Sequence, residues 1–196
     1  MDADRLKSEG LVFACATTAE ERVARRLGLD AARVGVRVAN GVPEGRLVSF
    51  GLAGSLGDLR VGDVVDATRV VDETGATLWE GPGLGVSGAR PGIVLGGDAL
   101  VWDAAERRRL REATGADAVD MESGVLARSG RLAGVLRAVS DDVSSAIAGV
   151  EETVHADGRT HVPGLLRWIA TRRGAALRSI RDAMRALRSL EQAVAT

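Results

Sequence analysis

The 196-residue sequence has a single cysteine, no tyrosine, two histidines and four prolines, and only 3% of it is aromatic. With Cys15 alone, neither an internal disulfide nor a cysteine-based zinc cluster can form, and the chain reads as one suited to a reducing cytosol. His155 and His161 lie outside any metal-ligand spacing, so no metal site is expected. The formal net charge of −1 provides no global basic field, which argues against a nucleic-acid partner. Lys7 is the only lysine, and this preference for arginine carries no function by itself. No apolar run approaches the roughly 18 residues that a membrane span needs.

The opening MDADRLKSEG is charged, and the apolar run after it, Leu11 to Ala16, is too short for a secretory signal. Leu11-Val-Phe-Ala-Cys15 has the outline of a lipoprotein cleavage box, but no long hydrophobic segment precedes it. Cys15 therefore reads as a buried strand residue, and a cytoplasmic location is expected. What the chain does have is a globular balance: 45% hydrophobic and 27% charged residues. Its length suits one domain over 1–196 with a single sizeable core.

Short β-type runs alternate with helical stretches, the pattern of a layered α/β domain. Strands are expected at Leu11–Ala16, Arg33–Ala39, Leu47–Gly51, Asp63–Val71, Thr77–Glu80 (pairing with the strand before it), Gly92–Leu95, Asp117–Val119 and Val135–Val139. Helices are expected at Ala19–Leu27, at Asp103–Glu112 with Asp103 as cap, and at Glu122–Leu132. From Pro163 to the end, apolar residues recur at helical spacing, interrupted by Gly174, and this is read as a C-terminal helical extension over 163–196. The stretch from about Ser144 to Arg159 is polar and loop-like, either disordered or a lid.

Gly83-Leu-Gly85-Val-Ser-Gly88 satisfies the GxGxxG pattern, but Pro91 and a strand-like run follow it. A dinucleotide fingerprint must open a helix, so this is read as a glycine-rich turn and no cofactor is expected. No G-x-S-x-G nucleophile elbow exists.

Three segments place polar groups at the carboxyl ends of strands, where α/β sheets bind ligands. The first is Ser49-Phe-Gly-Leu-Ala-Gly54-Ser55-Leu56, whose glycines let backbone N–H groups approach an anion or sugar; on this segment alone, a strand ending in a tight turn is the preferred reading. The second, Val119-Asp120-Met121-Glu122-Ser123, runs from strand into helix. Glu122 there either decorates a helix start or accepts two hydroxyl hydrogen bonds from a ribose diol. The third is Arg137-Ala-Val-Ser140-Asp141-Asp142. Asp141 either caps a helical turn or, facing a closed pocket, holds a proton for a leaving group.

In this order the array GLAGSLGDLRVGDVV, GIVLGGDALV, TGADAVDMESGVLAR and LRAVSDD resembles the purine and uridine phosphorylase family, which includes the methylthioadenosine/adenosylhomocysteine nucleosidases. Within it the chain looks most like the hopanoid-associated phosphorylases, on Ala19-Glu20-x-Arg22, VDMESGVLAR, Asp157-Gly158-Arg159 and LRSIRDAMRALRSL. The resemblance runs from about Leu11 to Asp142. It implies a three-layer α/β/α fold with a central mixed sheet and C-terminal helices, a homo-oligomer, and cleavage of the N-glycosidic bond of an adenine-bearing nucleoside. Phosphorolysis of adenosylhopane is the implied reaction, with a hydrolytic nucleosidase or a non-catalytic nucleoside-binding protein as the alternatives.

The same resemblance assigns roles. Asp141 becomes the acid that protonates the departing purine, oriented by Ser140, while Glu122 and Met121 hold the ribose. Leu100 and Val101 contact the base, one by stacking and one through its backbone. Arg22 and a Gly54 N–H meet phosphate, the co-substrate, or water; Glu20 is the carboxylate that would serve a hydrolase, although Thr17-x-x-Glu20 is also a capping box. Two departures stand out. Asn40-Gly-Val-Pro-Glu-Gly45 makes only a turn where the family has a helix, and Leu52 replaces a polar residue that nucleosidases place near the attacking water. The arginine-rich C-terminal helices suit either a solvated face or an anionic inner-membrane surface that would present a lipid-linked nucleoside.

Overall fold

The computed structural model describes residues 3–98, 101, 103–142 and 153–196. Within them the strands are β1 (Leu11–Cys15), β2 (Asp30–Arg33), β3 (Arg46–Ser55), β4 (Val64–Val71), β5 (Thr77–Glu80), β6 (Arg90–Gly96), β7 (Ala118–Asp120) and β8 (Leu132–Asp141). The helices are α1 (Ala3–Ser8), α2 (Thr18–Arg26), α3 (Ala104–Thr114), α4 (Ser123–Arg128) and α5 (Val162–Ala195).

The strands form one mixed sheet in the order β2-β1-β3-β7-β6-β4-β5. Strand β8 stands off this path and pairs parallel with β3 and antiparallel with β4. Because β3, β7, β6 and β4 are already joined in series, β8 closes them into a ring of five strands. Long β3 makes this possible. Its first half pairs with β1, while Gly54 and Ser55 at its end pair with β7 along the same edge.

Helices cover both faces, as a layered α/β domain requires. On one side α1, α2 and the C-terminal half of α5 bury Leu6, Val23, Leu190 and Val194 against Phe13, Phe50 and Leu136. The Phe13 and Phe50 rings meet edge to face, 5.6 Å apart. On the other side α4 sets Leu126 and Ala127 against Leu47, Val65 and Val135, and α3 sets Leu110 against Leu56 and Leu95. The caps follow the sequence: Thr17 and Glu20 form a reciprocal capping box on α2, Asp103 accepts two N–H bonds at the start of α3, and Gly115 ends α3 in the left-handed region.

Four expectations need correction. Arg33–Ala39 is not a strand: β2 ends at Arg33, Gly35 turns the chain at φ 77°, and Val36–Val38 is a short 3₁₀ turn. Arg37 and Val38 both sit at positive φ, at 54° and 59°, a strained setting for side chains with a Cβ. The helix expected over Glu122–Leu132 stops at Arg128, since Gly130 (φ 71°) turns the chain into β8. In α5 the break falls at Arg172 (φ −129°), not at Gly174. Helix α1, within the charged opening, was not anticipated; buried Leu6 anchors it.

Gly83–Gly88 is a turn, as expected. Its N–H groups already hold an anion: Asp66 Oδ1 accepts from Leu84 (2.7 Å), and Oδ2 accepts from Gly85 (2.6 Å) and Val86 (3.2 Å). Of the loop expected over Ser144–Arg159, the part up to residue 152 lies outside the described residues. Beyond it the chain doubles back through a Val154–Thr160 bridge and docks by backbone bonds on Thr18 and Val36. No helix among the described residues is long and apolar enough to cross a membrane.

Candidate active site

The ends of β3, β7 and β8, the start of α2 and the 154–156 segment surround a cavity of about 400 Å³. Its walls include Glu20, Gly54, Val101, Met121, Glu122, Ser140 and Asp141. Seven of the nine residues singled out from the sequence thus converge on one hollow. Leu100 lies outside the described residues. Arg22 does not reach the cavity: it is exposed on α2, two residues from Glu20 and so on the opposite face of that helix.

Glu20 is buried, lines the cavity and forms the capping box expected of it. Its Oε2 accepts from the Thr17 N–H (2.7 Å) and hydroxyl (2.9 Å), while Oε1 accepts from the Leu52 N–H (2.8 Å). A Cβ at Gly51 would overlap this carboxylate, so glycine is required there. Leu52, read from sequence as an apolar replacement, contributes through its backbone.

Glu122 does not cap α4. Asp120 does, accepting from the Ser123 N–H at 3.0 Å, which leaves the Glu122 side chain free to turn into the cavity. Glu122 Oε1 accepts from the Arg37 N–H (3.1 Å), delivered by the strained 3₁₀ turn, and Oε2 faces Arg137 Nη2 at 3.4 Å. Burial, with Asp120 and Glu20 nearby, outweighs Arg137 and pushes the Glu122 carboxyl up to about 7.

Arg137 is the residue that sequence reasoning passed over. It is fully buried beneath the site, where Nη2 donates to Ser49 Oγ (2.6 Å) and Nη1 to the Leu52 carbonyl (3.2 Å). Its Nε lies 2.6 Å from Asp120 Oδ2 as an ion pair, without the alignment of a hydrogen bond. The buried arginine opening the RAVSD motif was the available signal, because a charge on a central strand needs partners.

Asp141 ends β8. Its Oδ1 accepts from Ser140 Oγ (3.0 Å), and its Oδ2 accepts a very short bond from Arg107 Nη2. Burial raises its pKa, and the Arg107 charge opposes that rise without cancelling it. Arg107 is itself 4% exposed and anchored by the carbonyls of Val101 (2.8 Å), Asp142 (3.1 Å) and Ser55 (3.2 Å).

Two carboxyls with raised pKa in one hollow, beside a third that accepts from backbone N–H groups, make a site equipped for acid–base chemistry on a polar, uncharged ligand.

A family model described as the phosphorylase superfamily matches residues 84–162. No curated protein sequence matches the chain. Among solved structures, the chain is similar to the 5′-methylthioadenosine/S-adenosylhomocysteine nucleosidase of Helicobacter pylori, with a TM-score of 0.59 and 15% identity over 93% of this chain and 94% of that one. It is also similar to the futalosine hydrolase of Helicobacter pylori (TM-score 0.53, 17% identity, 93% and 97% covered). The nucleosidase of Campylobacter jejuni gives a TM-score of 0.53 at 17% identity, with 93% and 99% covered.

The fold is that of these nucleosidases. The mixed α/β sheet and the C-terminal helix expected from the motifs are therefore both present.

Proposed function

We propose that the chain cleaves the N-glycosidic bond of a purine nucleoside, with water as the nucleophile. The observation that carries this reading is the meeting of Asp141, Glu122 and Glu20 in one cavity. The fold shared with nucleosidases, and the nucleoside-like compounds named with those structures, support a nucleoside as ligand.

Asp141 supplies the proton. Burial raises its pKa, and with Oδ2 held by Arg107 the oxygen from which it delivers a proton is Oδ1. Ser140 Oγ lies within reach of both Asp141 Oδ1 (3.0 Å) and the Ala53 carbonyl (3.4 Å), so its single hydrogen turns to Ala53 when Oδ1 is protonated. As the bond from the sugar to the base breaks, its electron pair leaves with the purine and Asp141 delivers the proton to the purine N7. Ionised Glu122 accepts from the ribose hydroxyls and stabilises the positive charge that develops on the sugar ring. Water then adds at the anomeric carbon and loses its proton to Glu20, which faces the cavity.

Water is favoured over phosphate by where Arg22 and Arg137 lie, while Arg107, the guanidinium on the cavity wall, is engaged with the acid that faces the base. Arg22, the phosphate contact expected from the motifs, is exposed on the far side of α2. The buried guanidinium of Arg137 is committed to carboxylates, a hydroxyl and a carbonyl. Adenosylhopane and contact with an inner membrane rest on motif likeness and on the arginines of α5 alone.

The test is release of free base from purine nucleosides by the purified chain, with and without phosphate. Release without phosphate that is lost in Asp141→Asn supports the reading. Release only with phosphate transfers the site to the phosphorolytic reaction, and binding without release makes it a nucleoside-binding protein.

A further inference from the structure

Arg107 raises a question that the proposed chemistry does not use up: why a guanidinium is buried against the acid that must protonate the base. Its hydrogen bonds can be accounted for one at a time. Nε donates to the Val101 carbonyl, Nη1 to the carbonyls of Ser55 and Asp142, and Nη2 to Asp141 Oδ2. Against the full donor set of a guanidinium, one N–H has no partner among the described residues, the second hydrogen of Nη2. It sits on the nitrogen that touches Asp141, on a side chain that lines the cavity.

The local backbone is fitted to this pair. Gly54 lies against it on β3, and a Cβ there would stand 3.0 Å from Asp141 Oδ2 and 3.4 Å from Arg107 Nη2. The same side chain already engages two acceptors on this wall, the Val101 carbonyl and Asp141 Oδ2. A ligand edge that faces Asp141 therefore meets a cationic N–H donor and acceptors that this cation already engages.

Purines differ at this edge. A 6-aminopurine presents the N7 acceptor beside an amino donor, whereas a 6-oxopurine presents two acceptors, N7 and O6. An amino group here would point hydrogens at a cation and compete with it for the same acceptors, which weakens the pairing of a buried donor. A 6-oxo group accepts the spare Nη2 hydrogen while N7 takes the proton from Asp141 Oδ1.

We infer that Arg107 is a specificity-determining residue, making the site select a 6-oxopurine base over a 6-aminopurine. The inference rests on the reading that Asp141 faces the leaving base, and it departs from the adenine implied by the sequence motifs. Arg107 also holds a positive charge beside the base as it leaves with its electron pair, which favours the same chemistry.

The experiment separates base selection from cleavage. Equilibrium binding of free hypoxanthine and free adenine to the intact full-length chain is measured by calorimetry, and release of base from inosine and adenosine is measured in parallel. Hypoxanthine binding at least about tenfold tighter than adenine is expected, with a kcat/KM ratio in the same direction. In Arg107→Met the ratio should fall to near one or invert. Adenine binding as tightly as hypoxanthine, binding of neither base, or an unchanged ratio in Arg107→Met would each overturn the inference. Preference for hypoxanthine without cleavage of either nucleoside would leave the base selection standing and remove the glycosidase reading. The wild-type binding arm decides the matter even if Arg107→Met does not fold.

Discussion

Arg137 Nε lies 2.6 Å from Asp120 Oδ2, and both side chains are 1% exposed. Together with Glu122 and Glu20, this sets several carboxylates around one guanidinium in the floor of the cavity. Taking such charges out of water is costly, and breaking the set is costlier still because it strands the members left behind.

Arg137→Met is therefore expected to lose about 3–5 kcal/mol of stability. Urea denaturation at pH 5 and pH 8 checks this. The loss should be smaller at pH 5, where Glu122 keeps its proton and one stranded charge disappears.

Glu122 gives the protein a pH dependence of its own. Since burial holds its carboxyl up to about 7, the folded chain keeps a proton that the unfolded chain releases at lower pH. Stability should fall as pH rises from the ordinary glutamate range through about 7, and Glu122→Gln should flatten that fall in a pH series of melting temperatures. Activity runs the other way. In the proposed reaction the ionised form accepts both ribose hydroxyls, so kcat/KM should rise with pH up to about 7 and lose that limb in Glu122→Gln.

Asp141→Asn should lower kcat for base release by about 10²–10⁴-fold. KM should change far less, because the amide still fills the wall. Ser140→Ala should have a smaller effect, since the hydroxyl only orients the acid. Steady-state kinetics of the two variants provide the comparison.

Asp66 offers a control away from the chemistry. Its carboxylate accepts from the N–H groups of Leu84, Gly85 and Val86, and Asp66→Ala should cost roughly 2–3 kcal/mol by leaving those donors unpaired. Activity per folded molecule should be unchanged, as measured by base release normalised to the folded fraction.

Much of the fold was legible because local chemistry and tertiary packing agree in it. The apolar run Leu11–Cys15, the Thr17–Glu20 box and the Asp103 cap each define an element without help from distant residues. The segment 33–39 misled because its alternating valines carry strand propensity, whereas Gly35 and the pull of the Arg37 N–H toward Glu122 bend it into a turn. That partner is 85 residues away in sequence, and no local pattern reports it.

The site divides in the same way. Glu122 and Asp141 could be placed at the cavity because their motifs sit at the ends of elements that the sequence announces, and Glu20 because the family resemblance singles it out. Arg22 was misplaced by neglect of helical phase. Arg107 reads locally as one of a run of arginines on an amphipathic helix, and only the folded chain separates it from exposed Arg108 and Arg109.

Strand β8 is bonded along both edges, to β3 on one side and β4 on the other, and Arg137 and Asp141 both belong to it. It cannot peel away without opening the whole ring, so its central amides should be among the slowest in the molecule to exchange with deuterium. Asp141 and the buried cation are thus bolted to the stiffest girder available. Among the described residues, accommodation of an incoming ligand falls to the Val36–Val38 corner and the strap that crosses it at Ala156.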